Sequence, residues 1–430
     1  MESIRNPSAS GAIDALITKY AMALEAKLLA WRRDIHKHPE LGNQEFRTSK
    51  IVADHLRAIG VDEVYDKIAG STGVMGIMRG ALAGPTVGLR ADMDALPIKE
   101  ELLVPFASTA TGEWGDQGTV PIMHACGHDA HTSMLMAAAE MIVNLRPQLK
   151  GRVMLIFQPA EEGCASHWIG KSGAARFVDE EIYLENLPDA VFGIHVNNDC
   201  PKGSAGKVGC LPGPSSYYMD IFRITVHGKG AHGYSPWLGT DALVAAARVL
   251  LALQTLPSRN TDVFNNAVTV SVGAMRGGHK FNVIADTATL DGALRFTDRS
   301  SKEYLEQRLT ELVEYTAKSA GCTADLKMTW IPCIYNDPAL LEKMTPCMKI
   351  ALGSDNFVLS KEFAMKGLDD FSFYTERTPG LFFGLSIARD EEDPLEAVAI
   401  HDSKFVINEK ALIIGAKAMA SAALHFAWQD

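Results

Sequence analysis

The chain has 430 residues, 47% of them hydrophobic and 22% charged, with a formal net charge of -11. That length exceeds one ordinary core and points to about two or three domains. The composition excludes a disordered chain, and the acidic balance excludes nucleic acid as a partner. Met1–Pro7 lacks a charged-then-apolar signal pattern, and no apolar run reaches the roughly 18 residues a membrane helix needs. Ala242–Leu253 comes nearest and contains Arg248. Seven cysteines (Cys126, Cys164, Cys200, Cys210, Cys322, Cys333 and Cys347) are odd in number and irregularly spaced. This favours a reduced, cytoplasmic setting over a disulfide framework.

Helical apolar spacing runs from Ala12 to Trp31 and again from Arg47 to Ile59, where Gly60 stops it. Gly73–Met78 and Thr86–Leu89 are short Val- and Gly-rich runs that suit buried strands. A helix is expected over Thr132–Leu145, then strands at Val153–Phe157 and Val191–Ile194. Helices alternating with short apolar strands indicate an α/β sheet. The texture becomes turn-rich near Asp199. From there the order is strand Tyr218–His227, helix Asp241–Leu253, strands Ala267–Val272 and Thr287–Phe296, helix Ser301–Ala320, and a strand near Ala324–Met328. That order resembles a ferredoxin-like α+β unit inserted in the sheet domain. Helix Pro338–Leu352, strand Gly380–Leu385 and helix Glu409–Ala427 then resume the first pattern.

Chemistry-bearing residues collect at the ends of these strands. Cys126 and His128 share a glycine-containing turn; alone, a C-x-H is more often a buried cysteine beside a capping histidine than a metal site. Glu161 and Glu162 follow an apolar strand at the carboxyl end, where α/β sheets usually hold their sites. A metal ion would satisfy one carboxylate, and the other could take a proton from water. A solvated acidic turn is the bland alternative. His195 and His401 each close an apolar stretch, and a lone histidine there is usually structural. Asp92 and Asp94 lie two apart after a strand and so face one side. One of them could orient a ligand histidine; an Asp-rich turn partnered by Arg90 is the ordinary reading. Four weak signals at the edge of one sheet are stronger together than singly.

The strings R-A-D-M-D-A-L-P, H-A-C-G-H-D-A-H, F-Q-P-A-E-E-G and G-I-H-V, in this order, resemble the dinuclear-metal amidohydrolase and carboxypeptidase family. The branch includes hippurate hydrolases, N-acyl-amino-acid amidohydrolases and indole-acetyl-amino-acid hydrolases. Trp31–Leu41, Gly228–Gly233 and Asn282–Asp286 also match. The resemblance implies a zinc-peptidase-like α/β catalytic domain with a central mixed sheet (1–205 and 326–430). It also implies an inserted ferredoxin-like lid and dimerisation domain (206–325). Cys126 would bridge two divalent metals, with His128, Glu162, His195 and His401 as the other ligands. Zinc or manganese would lead, with cobalt or nickel open. Glu161 would be the general base, and Asp94 would support a ligand from behind. His232 would stabilise an oxyanion, within one chain or across a dimer interface, and Asn282 and Arg295 would contact a substrate carboxylate.

The chain departs from the family pattern at 163–168, 233–237, 367–371 and 402–405. Trp168, Tyr234 and Trp237 add aromatic surface, which either packs a seam or lines a pocket for an aromatic acyl group. The expected activity is hydrolysis of the amide bond of a small N-acyl or N-aroyl amino acid. The alternatives are removal of an amine from a small aromatic compound, and metal or ligand binding without catalysis. The expected partners are a small-molecule substrate and a second copy of the chain, giving a homodimer or higher homo-oligomer, with no membrane.

Overall fold

The computed structural model describes residues 7–163, 171–365, 367–389 and 398–428. The chain divides into two compact units, Met1–Ser215 with Ile334–Asp430, and Ser216–Cys333.

Strands without a solvent face organise the larger unit. Ala190–Asn197 and Gly380–Ser386 are buried at every residue, so they must lie mid-sheet with cover on both sides. The sheet has eight strands in the order Glu63–Ile68, Gly73–Arg79, Lys150–Gln158, Leu82–Asp92, Ala190–Asn197, Gly380–Ser386, Val208–Gly209, Phe357–Val358. The central four strands run parallel, and antiparallel pairs flank them. Alternation along Lys150–Gln158 sends Val153, Leu155 and Phe157 into one apolar layer and Met154 and Ile156 into the other. The first layer is completed by the helices Pro7–Lys37, His128–Asn144, Pro338–Leu352 and Leu412–Ala427.

The stretch Glu409–Ala427 is long and apolar enough to cross a membrane, which displaces Ala242–Leu253 as the nearest such run. Its most apolar window is 72% buried inside the unit, as befits a core helix.

The smaller unit is a βαββαβ module. Its strands Tyr218–His227, Val268–Gly277, Thr287–Phe296 and Thr323–Ile331 form an antiparallel sheet in the order second, third, first, fourth. The helices Ala242–Leu253 and Lys302–Ser319 pack on it. This is the ferredoxin-like arrangement expected from the element order. The expected boundaries shift, however. Val208–Gly209 joins the large sheet beside Gly380–Ser386, and Thr323–Ile331 pairs along its length with Tyr218–His227. A cut at 325 would split a hydrogen-bonded strand, so the junctions lie at 215/216 and 333/334.

One residue breaks the apolar pattern of this module. Asp220 is fully buried on the face of Tyr218–His227 that also carries Phe222, Ile224 and Val226. Burial, reinforced by Glu306 and opposed by Lys302 and Arg299, pushes its carboxyl up to about 7. The folded chain therefore holds a proton between about pH 4 and 7 that the unfolded chain has released. Stability from this source is full at low pH and is lost as pH rises through that window, by at most about 4 kcal/mol. Thermal unfolding at pH 5 and pH 8 should show a larger loss for the wild type than for Asp220→Asn. Parallel behaviour of the two proteins would rule this out.

Candidate metal centre

The central parallel strands bring their carboxyl ends to one edge, and the chain places its donors there. Asp94 lies just past Leu82–Asp92, Glu161 and Glu162 just past Lys150–Gln158, and His195 near the end of Ala190–Asn197. His128 is the first residue of the helix His128–Asn144. That helix starts four residues earlier than its apolar pattern indicates, because Gly127 adopts a left-handed φ of 88° at the N-cap. A Cβ at Gly127 would stand 2.5 Å from Val196 Cγ2, so only glycine lets this turn close against the strand that carries His195. His401 does not end a strand as expected. Residues 398–400 are irregular, and His401 itself has a left-handed φ of 68°. Its N–H donates to Ala125 O at 2.8 Å, which ties its loop to the one bearing Cys126.

The donors converge in two groups that share Cys126. Ligand atoms of Cys126, His128 and His195 lie within 4.8 Å of one another, as do those of Cys126, Glu162 and His401. His195 Nδ1 is 2.7 Å from Val196 O, so that nitrogen carries the proton and leaves Nε2 bare, 3.4 Å from Cys126 Sγ. His128 Nδ1 faces Asp94 Oδ1 at 3.1 Å, and its Nε2 is buried with no hydrogen-bond partner. A buried ring nitrogen left without a partner is costly unless something takes it. A carboxylate behind an imidazole with the other nitrogen bare is how metal-binding histidines are oriented. Asp94 Oδ2 also accepts the Glu162 N–H at 2.9 Å, so one side chain steadies two donors. Glu162 Oε1 lies 2.9 Å from His401 Nε2. Thiolate, imidazole and carboxylate together fit a borderline divalent cation.

The site carries a surplus of negative charge that a bound cation would offset, displacing the protons it otherwise holds. Burial first, then the negative charge of Glu162 and Glu161, pushes the Cys126 thiol well above its usual range. Burial, then Asp369 and Glu162, raises Glu161. Burial opposes the charged form of His128, yet Asp92 and Asp94 lift it to about 10. Glu161 is close to both sides of the cluster: its carboxylate, His128 and Glu162 place ligand atoms within 4.8 Å of one another, and so do Glu161, Asp369 and Asp370. Its Oε2 is 3.9 Å from His128 Nε2.

Behind this cluster sits a layer of charge. Asp92 and His131 come close to His128, but they are already engaged with one another. His131 Nδ1 donates to Asp92 Oδ1 at 2.6 Å, and its Nε2 accepts the Val196 N–H at 3.0 Å. Neither His131 nitrogen is available, so this trio supports the site and does not bind a cation. Arg90, fully buried, donates to Gln158 Oε1, Asp92 Oδ2 and Asp370 Oδ1 at 2.8, 2.7 and 3.0 Å, and lies 3.0 Å from Asp369. The altered G-L-D-D-F segment thus turns its two aspartates onto Arg90.

In the smaller unit, His232 and Asn282 are neighbours. The strand Ala231–His232 pairs with Val283–Ile284, and the Gly233 N–H donates to Asn282 O at 2.8 Å. Tyr234 lies 6.2 Å ring to ring from His232 and 6.4 Å from Trp237. Tyr234 and Trp237 are 81% and 73% exposed, an aromatic patch beside His232. Arg295 lies in Thr287–Phe296, over the Tyr217 ring. Trp168 falls outside the described residues.

Residues 88–425 match the sequence model of Peptidase family M20/M25/M40. The chain belongs to this family. It is 35% identical over 401 residues to "IAA-amino acid hydrolase ILR1-like 4" of Arabidopsis thaliana, covering 92% of this chain and 84% of that one. It is 33% identical over 391 residues to "N-acetyl-L-cysteine deacetylase" of Bacillus subtilis, covering 91% and 86%. A solved Bacillus subtilis structure, described as a dinuclear metal binding peptidase from M20 family, superposes with a TM-score of 0.73 at 29% identity. The match covers 94% of this chain and 99% of that one. As an M20 family member the chain is a hydrolase acting on carbon–nitrogen bonds, and the α/β architecture agrees.

Two supports in this M20 chain escape a reading by motif. His131 is visible in H-A-C-G-H-D-A-H as a histidine one turn after His128, and that (i, i+3) spacing was its signal. Glu45, whose buried carboxylate accepts the Ala160 N–H at 2.8 Å, carries no such signal, because that partner lies more than a hundred residues away.

Proposed function

We propose that this enzyme hydrolyses the amide bond of N-acyl or N-aroyl amino acids at a centre that would hold two divalent cations, with Cys126 common to both donor groups. The supporting observation is the pair of donor groups sharing Cys126, with the Glu161 carboxylate alongside but in neither of them. His128, Glu162, His195 and His401 would complete the ligand set, with zinc or manganese as the leading metals and cobalt or nickel as alternatives. Such cations, when bound, acidify water and polarise a carbonyl oxygen. Glu161 takes the proton from the attacking water and returns it to the leaving amine. Asp94 holds His128 and the Glu162 backbone in place. His232 stabilises the developing oxyanion, and Asn282 and Arg295 receive the substrate carboxylate. The exposed aromatic rings beside His232 favour an aromatic acyl group. That patch also supports the second reading, release of ammonia from a small aromatic amine.

The working unit would be a homodimer formed through the smaller module. Its helix Ala242–Leu253 shows solvent an apolar second face, Val244 and Leu251, and Val268–Gly277 is an open sheet edge. Unpartnered strand edges and apolar faces of this kind invite a copy of the same chain. A reducing cytoplasm would keep Cys126 a free thiol, as it is here.

One preparation tests all of this. Sedimentation should give a dimer, and metal-loaded protein should release amino acid from a panel of N-acetyl, N-benzoyl and N-indoleacetyl amino acids, fastest from aryl members. Ammonia from aromatic amines without amino acid from any conjugate would transfer the assignment to the second reading. A monomer would remove the dimer. Metal bound with no turnover of either panel would leave a binding protein.

A further inference from the structure

The segment around Trp31–Leu41 supplies no metal ligand, yet the residues that follow it meet the turn bearing both catalytic glutamates. Glu45 stands at the N-cap of the helix Phe46–Ala58, but its side chain makes no bond to that helix. Glu40 caps it instead, accepting the N–H groups of Arg47 and Thr48 at 2.8 Å each. Glu45 is fully buried and reaches elsewhere. Its Oε1 accepts the Ala160 N–H at 2.8 Å, and its Oε2 accepts the Thr72 hydroxyl. Ala160 has a φ of 50°, a left-handed conformation that a residue with a Cβ resists. Its carbonyl is held as well, by the Gly173 N–H at 3.1 Å. The other end of the turn is backed by Gly42, where a Cβ would lie 1.9 Å from Gly163 O.

We propose that Glu45 is a positioning residue for the catalytic turn: by holding the Ala160 N–H it keeps Ala160 left-handed and so aims Glu161 at the reacting water. The proposal rests on the assignment of Glu161 as the base. It acts through backbone geometry, since Glu45 is separated from Glu161 by the Ala160 peptide.

The test uses the full metal-loaded chain and an N-acyl amino acid that the wild type cleaves. Glu45→Ala should lower kcat about 10- to 100-fold, with KM within about threefold and metal per chain unchanged, as for a base displaced by about 1 Å. Glu45→Gln should recover most of the rate, because its amide oxygen still accepts from Ala160 while the Thr72 hydroxyl turns to accept from its NH2. In an Ala160→Gly background the same Glu45→Ala change should cost much less, since glycine adopts positive φ unaided. Should Glu45→Ala fail to fold, Glu45→Asp keeps the carboxyl group but shortens the arm, and it should show the same kcat loss. The proposal is overturned by wild-type kcat in the truncated variants, by a kcat loss that only tracks lost metal or unfolded chain, or by additivity with Ala160→Gly. A wild type inactive on every conjugate overturns the Glu161 assignment itself, a different result from an active wild type indifferent to Glu45.

Discussion

Glu161→Gln should lower kcat by about 10²–10⁴-fold while leaving KM and metal content close to wild type. Glutamine matches glutamate in shape and can still accept a hydrogen bond, but it cannot take a proton. The change therefore isolates proton transfer from packing. Glu161 is suited to this because it is outside the two donor groups that contain Cys126 and yet lies beside His128 and Glu162, 3.9 Å from His128 Nε2. Its neighbour gives the contrast. Glu162 sits in the group with Cys126 and His401, so Glu162→Gln should lose metal and rate together. Metal per chain by plasma mass spectrometry, alongside steady-state kinetics, separates the two. A Glu161→Gln enzyme within tenfold of wild-type kcat would remove Glu161 from the role of base.

Arg90→Met should be the most destabilising single change in the larger unit, by about 3–5 kcal/mol. The guanidinium lies in the interior among Asp92, Asp369 and Asp370, three buried carboxylates, of which Asp92 also faces His128 Nε2 at 3.8 Å. Burial and mutual repulsion already hold Asp370 at about 7 despite Arg90. Removing the arginine strands negative charge in a low-dielectric site. The loss should be partly repaired by adding Asp370→Asn, because the neutral amide removes one stranded charge. Arg90→Lys should fall between, since an ammonium keeps the charge but not the fork that reaches several partners. Urea unfolding of the four proteins tests this. A single Arg90→Met variant within 1 kcal/mol of wild type would show that the cluster is no longer charged. Asp92 holds His131, and His131 holds the Val196 N–H beside His195, so metal affinity should fall in the same series.

Reading by periodicity works where one residue's environment repeats along the chain. Val153–Phe157 and Val191–Ile194 are continuous apolar runs because both sheet faces are covered, and the structure extends each only by its ends. The βαββαβ order was legible for the same reason. The junctions were not, because a strand boundary depends on which partner supplies its hydrogen bonds. Thr323–Ile331 ends where Tyr218–His227 stops pairing with it, and nothing local marks that point. The start of the helix at His128 was missed because its first turn is polar, occupied by donors and not by core residues.

The chain by itself determined the chemical class: a thiol, imidazoles and paired carboxylates in a fixed order of short motifs, each following an apolar strand. Side-chain type sets which cations and protons can be held, and that is a local property. Only the tertiary structure decided which of those groups share a cavity and which are spent on one another. Cys126 belongs to two donor groups, His131 is spent on Asp92 and the Val196 N–H, and the G-L-D-D-F aspartates lie on Arg90, because sheet order and crossing loops bring together atoms that are tens to hundreds of residues apart. Glu45 and Ala160 show the limit most clearly. A hydrogen bond between them selects a backbone angle beside the catalytic base, and no spacing in the sequence encodes that encounter.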